Sequence, residues 1–160
     1  MFGATPAETQ ATIQVRNRQR TVPVNLNALQ ISAERALRLC RQVHTSKTTP
    51  LRKLSEIFVV LISDRPMVAL HRQFLNESRP TDVITFEHGE IFISTETARR
   101  HARRFGTSLL EEIQLYIIHG LLHLHGFDDR ADTDARRMKA VQKRIFAATL
   151  RQAPYRRRVV

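Results

Sequence analysis

His119-Gly120-Leu121-Leu122-His123-Leu124-His125-Gly126-Phe127-Asp128-Asp129 is the stretch from which the rest of the chain is read. It follows an apolar run over residues 109–118, so it closes a helix that is expected to be buried. Residues four apart share one face of an α-helix. His119 and His123 therefore point the same way, one turn apart, in the spacing that clamps a metal between two imidazoles. Gly126 is the natural stop, because glycine enters the left-handed conformation past a helix end without a Cβ penalty. The chain then turns back, and Asp128 or Asp129 can come up beside the histidines. Two imidazoles and one carboxylate leave a fourth position for water, which is the pattern of catalytic rather than structural zinc. Position 120 is Gly, so the metalloprotease pattern, which needs a Glu there as general base, is absent.

Working outward, residues 12–16 alternate and read as a first strand, and residues 26–43 as a helix in which Leu26 and Ile31 sit off the apolar stripe. Residues 45–50 read as a linker. The continuous apolar run at 56–62 is a strand buried on both faces. Ser63-Asp64 caps a helix with Pro66 in its first turn, running to about position 76. Two short strands at 82–86 and 90–94 are joined around His88-Gly89. Thr95 caps a helix that Gly106 ends, and Ser108 with Glu111 makes a capping box for the helix carrying His119 and His123. A last helix over 133–150 turns Met138, Val141, Ile145 and Leu150 inward. The expected class is α+β: a small mixed four-stranded sheet packed with five to six helices, the metal site lying at the end of a central buried helix. Residues 1–150 form one domain, and 151–160 a basic tail expected to be disordered.

The formal net charge of +11 points to a polyanionic partner, most often nucleic acid. Arg99, Arg100, Arg103 and Arg104 form one cluster and Arg156, Arg157 and Arg158 another, so binding should be strongly salt-dependent. There is no Trp and no run of aromatic residues, so a base-stacking platform is not indicated. The single Cys40 excludes an internal disulfide and reads as a small apolar residue in a reducing cytosol. No apolar run is long enough to span a bilayer, and the first residues lack a basic n-region and an apolar h-region, so a cytoplasmic location is expected. His125, two residues after His123, falls on another helix face and is expected at the surface; His71 and His88 lie outside the motif and read as structural or solvent-facing.

Three segments together closely resemble the YbeY family: Pro80-Thr-Asp-Val-Ile-Thr-Phe86, Gly89-Glu-Ile-Phe-Ile-Ser94, and the histidine stretch ending at Asp128. The resemblance covers about residues 10–150 and implies an α+β fold, one zinc ion per chain, a cytoplasmic location and an RNA substrate on or near the small ribosomal subunit. It implies His119, His123 and Asp129 as metal ligands, Asp129 standing where most members carry a third His. Carboxylate oxygen binds zinc at about the imidazole distance. Two other positions depart from the pattern: Leu75 stands where most members have Arg, and Leu115 where many have His. A guanidinium is the usual phosphodiester clamp, so Arg79 becomes the nearest candidate cation.

The expected activity is that of a metal-dependent single-strand endoribonuclease acting in ribosomal RNA maturation and small-subunit quality control, by metal-activated attack of water on a phosphodiester. Arg79 and Asp82 are the catalytic candidates, and Thr81, Thr85 and Arg79 the substrate-binding ones. Asp82 after Pro-Thr has an equal reading as a turn residue bonding backbone. The alternative is a non-catalytic RNA-binding ribosome-assembly factor whose metal only pins the helix end. A zinc hydrolase acting on a peptide or amide is disfavoured by Gly120 and by the positive charge.

Overall fold

The computed structural model of the chain describes residues 10–45, 48–75 and 81–151. The elements are β1 (Thr12–Asn17), α1 (Leu26–Gln42), α2 (Pro50–Lys53), β2 (Glu56–Ile62), α3 (Asp64–Leu75), β3 (Val83–Phe86), β4 (Glu90–Ser94), α4 (Thr95–Phe105), α5 (Leu109–Leu124) and α6 (Asp132–Arg151). The strands form one sheet in the order β1-β2-β4-β3. β1 and β4 run parallel to β2, and β3 pairs antiparallel with β4. The fold is α+β with a mixed sheet, as the sequence implies.

The apolar run in β2 is buried on both sides because helices cover both faces of the sheet. Alternation sends Ile57, Val59 and Leu61 into the main core beneath α1 and α5, and Val60 and Ile62 into a smaller one. Met67 of α3 and Ile84 of β3 complete the smaller core. Helix α5 lies at the centre of the main core, packed against α1, α4, α6 and the β3–β4 side of the sheet. Ile113, Ile117, Ile118, Leu121 and Leu122 are all buried, as befits a helix apolar nearly all round. Cys40 is buried, and burial pushes its thiol pKa far up, so it packs as a small apolar group.

Gly120 sets how closely α5 approaches the sheet. A Cβ there would lie 2.8 Å from Cγ2 and 2.9 Å from Cδ1 of Ile91, and 3.1 Å from the Thr85 hydroxyl. Ile91 is a β-branched core residue of a central strand and cannot swing aside. The residue that breaks the metalloprotease pattern thus has a packing role: it seats the histidine helix directly on β3 and β4.

Several local expectations shift. Ser94, not Thr95, caps α4; its hydroxyl accepts from Thr97 N, while the Thr95 hydroxyl donates to the Ile62 carbonyl. Strand β4 runs straight into α4, so the cap is the last strand residue. The expected linker at 45–50 leads into a one-turn helix, α2, that begins at Pro50. Leu150 is 46% exposed rather than inward. It follows Ile145 by five residues, which rotates it off the stripe; Thr149, four residues on, is buried in its place and donates to the Ile145 carbonyl. Position 76, the expected end of α3, lies outside the described residues, as do 1–9 and 152–160, the latter holding nearly all of the expected basic tail. Among the described residues no helix is long and apolar enough to cross a membrane.

Gly120→Ala should destabilise the protein although it improves helix propensity. Overpacking of about 1–3 kcal/mol opposes a propensity gain of about 1 kcal/mol. A lower urea midpoint with an unchanged slope is the expected result; a higher midpoint would show that α5 is free to lift off the sheet.

Candidate metal centre

The end of α5 is built by a Schellman turn. His125 is the C-cap, and Gly126 follows in the left-handed region at φ 91°. Phe127 N donates to the Leu122 carbonyl and Gly126 N to the His123 carbonyl, the two bonds that define the motif. Phe127 and Leu122 are both buried, which supplies the apolar contact that accompanies it. The reversal carries the Phe127 carbonyl back to His123 Nδ1, at 3.0 Å. Asp128 then folds an Asx turn, its Oδ1 accepting from Asp129 N (2.7 Å) and Arg130 N (3.1 Å). Asp128 is therefore the turn former, and Asp129 is the carboxylate delivered to the histidines.

His119 Nε2 and His123 Nε2 lie 3.0 Å apart. Asp129 Oδ2 is 3.5 Å from the first and 3.6 Å from the second. Among the described residues this is the one cluster of three such side chains able to hold a metal ion. Ligand bonds of about 2.0–2.1 Å in a tetrahedron place neighbouring donor atoms ~3.3 Å apart, close to all three separations.

The tautomers fit as well. A carbonyl only accepts, so His123 Nδ1 carries the proton and its Nε2 presents a lone pair. His119 Nδ1 lies 2.9 Å from Gln142 Oε1 of α6, which holds that ring in the same tautomer. Two lone pairs then face each other beside a carboxylate, an arrangement that a cation satisfies and a hydrogen bond does not. Burial and the neighbouring His119 push the His123 pKa down, against the pull of Asp129, which favours the neutral ligand form.

The site opens into a groove of about 780 Å³. Thr85 and Phe86 of β3, Phe74 of α3 and Arg130 line it together with the three candidate ligands. Of the substrate-binding candidates, Thr85 is thus brought to the site. Thr81 and Asp82 stand just before β3 and are not among the residues lining this groove. Asp82 Oδ1 accepts from Val83 N at 2.9 Å, with the Thr81 hydroxyl at 3.4 Å, and the Asp82 carbonyl accepts from Ser94 N. Asp82 thereby bonds the start of the hairpin, with Thr81 beside its carboxylate. Arg79 and its candidate roles lie outside the described residues.

His125 is not at the surface: it is fully buried. Because α5 is enclosed everywhere except along the stripe that carries His119 and His123, leaving the ligand face means facing another part of the protein. Its Nε2 donates to the Val43 carbonyl at 2.8 Å, and its Nδ1 lies 3.2 Å from the Thr49 hydroxyl. Burial lowers its pKa, so it is a neutral strut holding the helix end to the chain after α1. His71 is buried in α3 and His88 is exposed beside Glu90.

Gln142, the Phe127 carbonyl and Arg130 were not legible as site groups. Gln142 sits 23 residues from its partner on another helix, and no motif spacing records that docking. Zinc should raise the thermal midpoint of the protein and a chelator should reverse the rise, because binding to the folded state alone stabilises it. His123→Ala should abolish the shift. Gln142→Leu should weaken zinc affinity by about 10–100-fold, read by competition with a chromophoric chelator. A Gln142→Leu protein that binds zinc as tightly as wild type would remove the glutamine from the site.

Known proteins agree with this architecture. The family profile described as Endoribonuclease YbeY matches residues 14–149. An endoribonuclease YbeY of Geobacter metallireducens is 30% identical over 155 residues, covering 88% of this chain and 97% of its own. One from Thermus thermophilus is 39% identical over 103 residues, covering 57% of this chain and 74% of its own. A Thermotoga maritima protein solved in solution shares the fold with a TM-score of 0.62 at 23% identity, covering 88% of this chain and 91% of that one. With a profile match spanning β1 to α6 and the paired histidines at the end of the central helix, the chain belongs to the endoribonuclease YbeY family.

Proposed function

We propose that the protein is a zinc-dependent, single-strand-specific endoribonuclease that acts in the cytoplasm on ribosomal RNA of the small subunit, in its maturation and quality control. The observation that carries the reading is the convergence of His119 Nε2, His123 Nε2 and Asp129 Oδ2 at the wall of an open groove. The side chains are 26%, 28% and 47% exposed, so a substrate reaches the centre without rearrangement. The strongly positive chain suits a polyanionic substrate.

A zinc ion held there would supply an activated water and polarise a phosphoryl oxygen. The chain's own residues do the rest. Gln142 and the Phe127 carbonyl fix the ring planes of the two histidines. Asp129 supplies negative charge on the solvent side. Arg130 is the cation among the described residues lining the groove; its side chain is 91% exposed and only a long 3.9 Å ion pair joins its Nε to Asp128 Oδ1, so the guanidinium can turn to a backbone phosphate. It stands in for the arginine absent at position 75, with Arg79 a second candidate by its place in sequence. Thr85 offers a hydroxyl on the groove wall. Asp82 and Thr81 act by holding β3, and Thr85 with it, in register.

The second reading is an RNA-binding assembly factor with a structural metal, favoured by Leu75 in the place of the usual guanidinium. Zinc-loaded wild type, His123→Ala and Asp129→Ala, assayed on single-stranded RNA, separate the two. The enzyme reading expects both variants to lose at least about 100-fold in rate, or about 2.7 kcal/mol of barrier. Equal cleavage by all three proteins would mark a contaminating nuclease, and RNA binding without cleavage would favour the assembly factor. Arg130→Ala should weaken RNA binding about equally across sequences and lower the salt slope by about 1; an unchanged slope would take Arg130 off the phosphate path.

A further inference from the structure

Aromatic residues that are scattered in sequence gather in space at the rim of the metal groove. Phe74 of α3 and Phe86 of β3 meet edge to face, with ring centroids 5.0 Å apart and planes at 75°. His88 stacks on Phe86 at 5.5 Å and 16°, and Phe92 of β4 packs against Phe86 at 5.8 Å and 87°. The sequence has no aromatic run, yet α3 and the β3–β4 hairpin bring these rings together from separate elements.

Phe74 is the unusual member. It continues the inward stripe of α3, following Met67, Leu70 and His71 at helical spacing. Met67 and His71 are buried, yet Phe74 is 54% exposed. The small core on the outer face of the sheet ends at β3, the edge strand, and Phe74 overhangs that edge into the groove. In an edge-to-face pair only one ring offers its face, so at least one face of Phe74 is turned away from Phe86. The ring is thus braced on one side, open on another, and in the same groove as His119, His123, Asp129 and Arg130.

We infer that Phe74, braced by Phe86, is a stacking site for an unpaired nucleobase next to the phosphodiester held at the metal centre. The inference rests on the nuclease reading for the identity of the strand, and it adds what would make that reading selective for single strands. A base can lie on a phenylalanine face only when it is free of a complementary strand, and stacking tolerates any base because each has a π-face. Arg130 on the phosphate and Phe74 on the base would fix the strand at two points across the groove.

The test uses the zinc-loaded protein and a short single-stranded oligoribonucleotide carrying 2-aminopurine. Binding is read by anisotropy and by 2-aminopurine fluorescence in stopped flow, ahead of turnover, and cleavage is followed in parallel. Phe74→Leu keeps an apolar side chain but removes the π-face; it should weaken single-strand binding by roughly five- to a hundredfold, the range that ring–base stacking spans. It should also lose the fluorescence quench, and the cleavage defect should fall on KM rather than kcat. Phe74→Trp should restore binding, and affinity for a duplex of the same sequence should be unmoved by either change. Wild-type affinity and quench in Phe74→Leu, or a wild type that binds no single strand, would overturn the inference. If binding depends on Phe74 while the wild type cleaves nothing, the stacking site stands and the nuclease reading falls. If cleavage is intact and Phe74 is neutral, the reverse holds.

Discussion

The reversal of the chain at Gly126 is the constraint on which the rest of the site depends. A helix that ends in a Schellman turn must send its next residues back along its last turn. That single geometric fact places the Phe127 carbonyl at His123 Nδ1 and, two residues on, the Asp129 carboxylate at both Nε2 atoms. One turn therefore selects the tautomer of one candidate ligand and supplies another. The conformation requires φ 91° at position 126, a region that residues with a Cβ rarely adopt.

The turn works only because α5 is held rigidly. Burial on all but its groove-facing stripe fixes the rotation of the helix, and Gly120 fixes its height above β4. His125 ties the C-cap to the segment after α1 through the Val43 carbonyl and Thr49. Gln142 comes from α6, whose Met138 and Ile145 belong to the same core. The apolar interior and the polar centre are thus linked: packing sets the positions of donor atoms whose lone pairs would otherwise repel one another. Metal binding and folding are coupled in such a site. On the groove side, the edge strand β3 presents Thr85 and Phe86, and α3 reaches over it with Phe74. Arg130, the three candidate ligands and an aromatic rim then lie along one opening.

How much of this was readable in advance follows from the range of each interaction. The paired histidines, the stop at Gly126 and the carboxylate beyond it lie within eleven residues, and local periodicity exposes them. The apolar run of β2 after Glu56, the β3–β4 hairpin and the capping Ser108 of α5 are local signals too. What escaped depends on docking between distant elements. The burial of His125 needs the knowledge that α5 is enclosed. Gln142 needs the register of α6 against α5, and the exchange of Leu150 for Thr149 needs the rotation of α6 about its axis. Phe86, His88 and Phe92 are neighbours within the β3–β4 hairpin, and Phe74 joins them only when α3 is laid on the sheet. The division between Asp128 and Asp129 lay between these cases: sequence put a carboxylate past the turn, and the Asx bonds of Asp128 decide which one turns inward.

The most direct test is an anomalous difference map at the zinc edge from crystals of the protein grown with zinc. The account predicts one dominant peak per chain, bonded to His119 Nε2, His123 Nε2 and Asp129 Oδ2, with His119 Nδ1 still on Gln142 and His123 Nδ1 still on the Phe127 carbonyl. A dominant peak elsewhere, or one on the two histidines with the Asp129 carboxylate turned to solvent, would contradict it.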